Sequence, residues 1–401
     1  MRNAILTLVL ATTALNAATR PKVRAITAFI DVDSQGYTHQ IEDAAKFLNA
    51  ARDAYRTAGW EVETIRIVTQ PFPQYTKGLS HDAALVVLRG IDALGEKLKF
   101  TPSIGPAMWN DGDSSAAVDL LIDFLSEPGR TNASLITASE DGIHWNAIRQ
   151  AARLIHTVSQ RSVHGQGNLN FAAIAMLKPY GPFYPGAYHA GGSRAFSIGV
   201  EGASVVAEVF AQEHEPRAAE KKLVEALTAQ LGAVEKIAMQ VSTGSGWTYA
   251  GTDPTPAPLG EVSIGRAIES FTGAPFGSSG TMTAAAVITR AVQSVAVKRV
   301  GYSGLMVPVL EDAVLAKRWD EGEYTMDALL AYSAVCAGGL DTIPLAGDTG
   351  EDRLAHILSD VATLAYKWQK PLAARLLPAP GRKSGERTQF EDARMRNASI
   401  H

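Results

Sequence analysis

The chain has 401 residues, 19% of them charged, and a formal net charge of −4. With no long block of like charge it offers no basic groove for nucleic acid and no patch for an anionic membrane, so a small molecule is the expected partner. Its single cysteine excludes an internal disulfide and any cysteine cage for zinc or an iron–sulfur cluster within one chain.

Met1-Arg2-Asn3, an apolar run ending at Leu15, and then Ala17 and Ala18 have the layout of a secretory signal peptide over residues 1–18. The run is too short to span a bilayer. An exported or periplasmic protein is the expectation; an ordinary lead-in segment is the alternative and would leave the protein cytoplasmic. No other apolar run suggests a membrane span. Residues 23–30 read as a strand, and apolar residues at helical spacing from Ile41 to Tyr55 predict a helix stopped near Gly59. A second strand at 62–68 completes a βαβ opening, which argues for parallel pairing. A helix at 116–125, a strand at 133–137 and a helix at 143–158 follow, then strands at 168–177, 195–200 and, more weakly, 245–249. From there helices dominate, at 203–210, 218–240, 260–271, 281–295, 312–318, 326–335 and 353–368. Late strands fall at 341–345 and 372–377. No linker or repeat divides the chain, so one α/β domain is expected over residues 22–381. Residues 382–401 lack apolar periodicity and read as a polar tail with a mobile end.

Several blocks recur together in one known family: Gln70-Pro71-Phe72-Pro73-Gln74-Tyr75, Pro182-Phe183-Tyr184-Pro185-Gly186-Ala187-Tyr188-His189, Ile198-Gly199-Val200-Glu201-Gly202, Asp253-Pro254-Thr255-Pro256-Ala257-Pro258, and Cys336 through Asp348 with the Arg375 strand. In order and spacing they resemble the domain-of-unknown-function 711 family (uncharacterised protein family 0210), over roughly residues 23–383. The resemblance implies a single α/β barrel of about ten strands, similar in architecture to the glycyl-radical enzyme pyruvate formate-lyase, and a homodimer. Glu201 stands where many members carry serine, placing an extra carboxylate near the expected barrel mouth. Arg299-Val300-Gly301-Tyr302 is close to a glycyl-radical motif, but it lacks one residue and lies far from the C-terminus. Radical chemistry with Cys336 is therefore a minor alternative to a buried, inert thiol.

Acids on loops at strand ends are where α/β barrels place working groups. On that basis His189, Asp253, Asp341 and Asp348 are the candidate catalytic residues, with His189 as proton carrier. Asp253, Asp341 and Asp348 are also candidate ligands for a divalent metal, whose identity stays open. Competing readings make Asp253 and Asp348 turn formers, Glu311 or Asp312 a helix cap, and His189 a satisfied core histidine. Gly277-Ser278-Ser279-Gly280-Thr281 opens a helix and, with Arg375 and Glu201, forms the candidate substrate-binding set for a small anion. These expectations point to a non-radical enzyme using acid–base or metal-assisted chemistry of hydrolase or lyase type. A non-catalytic small-molecule-binding protein is the alternative.

Overall fold

The computed structural model describes residues 20–401; the leader expected at 1–18 lies outside the described residues. The strands are β1 (Lys22–Ile30), β2 (Val62–Thr69), β3 (Thr101–Pro106), β4 (Asn132–Ser139), β5 (Gly142–Ile143), β6 (Phe171–Ala175), β7 (Ala195–Glu201), β8 (Thr248–Asp253), β9 (Gly339–Ala346) and β10 (Leu372–Ala379). They form one ten-stranded sheet in the order β8-β7-β1-β2-β3-β4-β6-β10-β9, with β5 folded back on β4. The block from β1 through β2, β3, β4 and β6 is parallel. It meets β7 and β10 through antiparallel seams, and β8 and β9 then pair in parallel with those two strands. The parallel pairing argued from the βαβ opening holds between β1 and β2, and the two antiparallel seams lie further out in the sheet.

The opening unit shows how sequence becomes layer. Strand β1 is buried on both faces, which explains the nearly continuous apolar run Ala25, Ile26, Ala28, Phe29, Ile30. Helix Tyr37–Thr57 covers it with Ile41, Ala44, Ala45, Leu48, Ala51 and Tyr55. At Gly59 the backbone turns with φ of 80°, a region glycine enters without steric cost, and Val62 then starts β2.

One segment reaches both outer strands of the sheet: Arg299 bridges Thr252 of β8, and Pro308 bridges Asp341 of β9. Asp253 reinforces this crossing from the end of β8. The C-terminal tail is irregular but packed, with Phe390, Met395, Ala398 and Ile400 buried, the Trp319 indole N–H donating to Ser399 O, and the Arg396 N–H donating to Leu310 O. The expected mobile tail end is thus anchored, because four apolar residues spaced too irregularly to show a period still find the core. No helix among the described residues is long and apolar enough to cross a membrane.

Candidate functional site

Strand β2 carries three polar residues, Glu63, Thr64 and Arg66, among the buried Val62, Ile65 and Ile67, and β1 offers Arg24 beside them, its carbonyl accepting from the Thr64 hydroxyl. Alternation puts Thr64 and Arg66 on one face, while Arg24 stands in register with Glu63 beside them. They line a cavity of about 480 Å³ at the end of the sheet where β2, β3 and β4 begin, together with Glu63, Tyr184, Glu311, Asp341, Arg375 and Arg394.

Within it the charges are unevenly matched. Arg375, on β10, donates from Nε to Asp341 Oδ1 at 2.7 Å, and its terminal nitrogen lies 3.1 Å from Glu311 Oε1. Two acids therefore share one guanidinium, and their titration is pushed apart. Burial raises the Asp341 pKa more than Arg375 lowers it, and neighbouring Glu311 adds to the rise. For Glu311 burial also pushes upward, but Arg375, Arg24 and Arg394 outweigh it and hold the carboxyl below its ordinary range. Arg24 pairs with Glu63 at 3.0 Å, and Arg394 pairs with Asp392 at 2.6 Å. Arg66 differs. Its guanidinium donates to Thr64 Oγ1 and to Pro182 O at 3.2 and 2.8 Å, and lies 4.7 Å over the Tyr184 ring. Among the described residues no carboxylate pairs with it, and burial, reinforced by Arg24, pulls its pKa down to about 10.

The sequence candidates scatter around this cavity. Asp341 and Arg375 are in it, with the expected anion clamp already engaged by acids. Glu201 is buried beside Glu63, and burial, then Glu63, pushes its pKa up to about 8. Asp253 is fully buried and serves the backbone: it accepts from Thr255 N, Thr255 Oγ1, Tyr302 N and Ser303 N. Asp348 sits exposed in the turn after β9. Gly277, Ser278, Ser279, Gly280 and Thr281 line neither this cavity nor the one at His189; the Thr281 hydroxyl closes the turn by accepting from Gly277 N at 3.1 Å. Asp253, Asp341 and Asp348 thus do not meet, and among the described residues no three His, Cys, Asp or Glu side chains are grouped to hold a metal ion. Asp312 is a helix cap, accepting from Val314 N and Leu315 N. Cys336 is buried, and burial pushes its thiol pKa up.

His189 lines a separate cavity of about 610 Å³ at the other end of the sheet, walled by the segments that follow β2 and β3 and by Tyr188 through Gly191. The two cavities share no lining residue, so the composite site expected from sequence resolves into two. Arg24 and Arg66 were missed, although arginines set among the buried Val, Ile and Ala residues of two strands were a legible signal that those strands border something polar.

The family model described as "Uncharacterised ACR (DUF711)" matches residues 16–391. Among curated relatives, a UPF0210 protein of Pyrobaculum arsenaticum is 30% identical over 370 residues, covering 87% of this chain and 81% of the relative. That of Pyrobaculum aerophilum is 34% identical over 286 residues, 68% of this chain and 62% of the relative, and that of Desulforudis audaxviator is 26% identical over 367 residues, 86% and 80%. The resemblance drawn from the motif blocks and these matches over most of the chain agree: the chain belongs to the DUF711 (UPF0210) family.

Proposed function

We propose that this protein is an enzyme that holds a small anion on Arg66 in the charged cavity and moves a proton through Asp341. The observation that carries the reading is the Arg66 guanidinium, which faces a polar cavity without an acid partner while the neighbouring arginines are paired. A partly buried, uncompensated cation is costly unless an anion answers it, and a planar guanidinium suits a carboxylate or phosphate group. Asp341 is suited to proton transfer because burial raises its pKa, whereas Glu311 is held ionised beside it; two acids with separated titrations are the usual arrangement for dividing such roles. A hydrolytic or lyase-type reaction on a small organic acid fits these parts. Within this reading the sheet is a closed barrel, which the two bridges made by residues 299–308 support, and the cavity opens from its interior.

The test is a proton NMR time course on a mixture of small organic acids with wild-type protein and Asp341→Asn. An acid that wild type consumes, and that the variant binds without consuming, is the expected result. Equal consumption by the variant refutes the role of Asp341, and binding without conversion by wild type leaves a non-catalytic binding protein.

A further inference from the structure

The His189 cavity has a chemistry of its own. It lies beyond the C-terminal ends of parallel strands β2 and β3, where α/β sheets commonly receive ligands. Its walls are largely apolar: Pro71, Pro73 and Pro106 on one part, and on another the edge-to-face pair Trp109 and Tyr188, with ring centroids 4.7 Å apart. Such a corner accepts a flat ring. The Trp109 loop is fixed from within, since the Asp113 carboxylate accepts the backbone N–H groups of Trp109 and Asn110.

Among the polar residues of this lining, His189 and Lys77 are without a strong protein partner. The His189 side chain is fully buried, and neither ring nitrogen has a hydrogen-bond partner of good geometry, the Gly192 backbone and Asp31 being its nearby polar neighbours. Its backbone is pinned by its N–H donating to Thr69 O at 3.1 Å, and Asp31 Oδ1 lies 3.5 Å from Nε2, near enough to influence the imidazole but too far for a strong hydrogen bond. Buried polar atoms are ordinarily paired, so an orphan imidazole lining a cavity marks a place for a ligand group. Lys77, exposed on the same cavity, has no acid partner among the described residues.

We infer that this cavity is a second ligand site, for a planar aromatic carboxylate whose ring lies against Trp109 and the prolines, whose polar edge meets His189, and whose carboxylate faces Lys77. The volume of about 610 Å³ falls in the range of small-molecule sites. Apolar walls supply the affinity for the ring, and the two polar groups select its substituents. The site is independent of the charged cavity, so its occupancy does not rest on Arg66.

The experiment is saturation-transfer NMR followed by titration calorimetry on the full chain with nicotinate, 4-hydroxybenzoate and indole-3-acetate, each beside its uncharged amide. At least one carboxylate is expected to bind, with Trp109→Ala and His189→Asn each weakening it by about tenfold or more. Lys77→Glu, a change at an exposed position that the fold tolerates, should weaken the carboxylate by about fivefold and leave the amide unchanged. Arg66→Gln should have no effect. Failure of all three carboxylates to bind overturns the inference, and so does binding that ignores both His189→Asn and Lys77→Glu, which would mean that the imidazole is satisfied by water alone.

Discussion

Asp253→Asn separates a structural carboxylate from a catalytic one. The native side chain accepts four hydrogen bonds, three of them on Oδ1, while Oδ2 receives the Tyr302 N–H at 2.8 Å. An asparagine amide has one accepting oxygen. In its better orientation it keeps the three Oδ1 bonds and turns its NH2 toward Tyr302 N–H, orphaning a buried donor that the second oxygen of a protonated Asp253 can still serve, at a cost of about 1–3 kcal/mol in acid. The cost depends on pH, because burial pushes Asp253 up to about 6 from the ordinary aspartate value of 3.8. A carboxyl whose folded pKa is raised contributes stability that is complete below the unfolded value and is lost as pH rises through the folded value. That difference corresponds to about 3 kcal/mol, and the amide cannot show it. Wild type should therefore exceed the variant most in acid, with the gap narrowing by about 3 kcal/mol between about pH 4 and pH 7. Urea denaturation followed by tryptophan fluorescence across that range measures the gap. A gap that does not change with pH, or a variant of unchanged stability that has lost turnover, would refute the structural assignment.

Asp312 caps helix Ala313–Asp320 and also accepts from Ser263 Oγ, Ile264 N and Gly265 N at the start of helix Ile264–Thr272; Asp312→Ala should cost about 2–4 kcal/mol in the same denaturation assay. For Glu201, burial and Glu63 raise the pKa to about 8 from 4.5, so wild type loses stability as pH climbs through that window, and Glu201→Gln should flatten the loss in melts between pH 5 and pH 9. Gly301 adopts φ of 71°, and a Cβ there would fall 2.2 Å from Asp253 Oδ2; Gly301→Ala should destabilise by about 2–4 kcal/mol and remove much of the pH-dependence that Asp253 confers.

Much of the fold was legible because periodicity and punctuation agreed. Helices at 116–125 and 203–210 fall where expected, as Ala116–Leu125 and Ala203–Phe210, since each is a short apolar run with a clear face. Helix His81–Leu98 and strand β3 were not anticipated. The helix carries its own signals, a Ser80 cap and Leu85, Leu88 and Ile91 at helical spacing, but β3 reads as a turn because it contains Pro102, Gly105 and Pro106. Gly142 and Ile143 form a short strand against β4 and precede helix Trp145–Arg161; pairing across a two-residue gap leaves no pattern to read.

The site was less legible for a different reason. Asp341 drew notice as an acid on a loop at a strand end and Arg375 as an anion clamp, and they do share a cavity, but only the fold reveals that they pair with each other. Asp253 looks reactive in a proline-rich turn, yet its role depends on backbone N–H groups about fifty residues later in the chain. His189 and Asp341 were joined by the expectation that all working loops converge on one mouth. The antiparallel seams at β7 and β10 break that premise, since strands of both directions deliver loops to each end of the sheet.

Arg66, a cation in a polar cavity with no acid paired to it among the described residues, should take an anion. The decisive experiment is titration calorimetry of small di- and tricarboxylates, sulfate and phosphate into wild type and Arg66→Gln at two salt concentrations. Wild type should form an anion complex that weakens with salt, and Arg66→Gln should weaken it by about 1.5–3 kcal/mol, the worth of a hydrogen bond to a charged group. Binding of equal strength in the variant, or no anion binding by wild type, would contradict it.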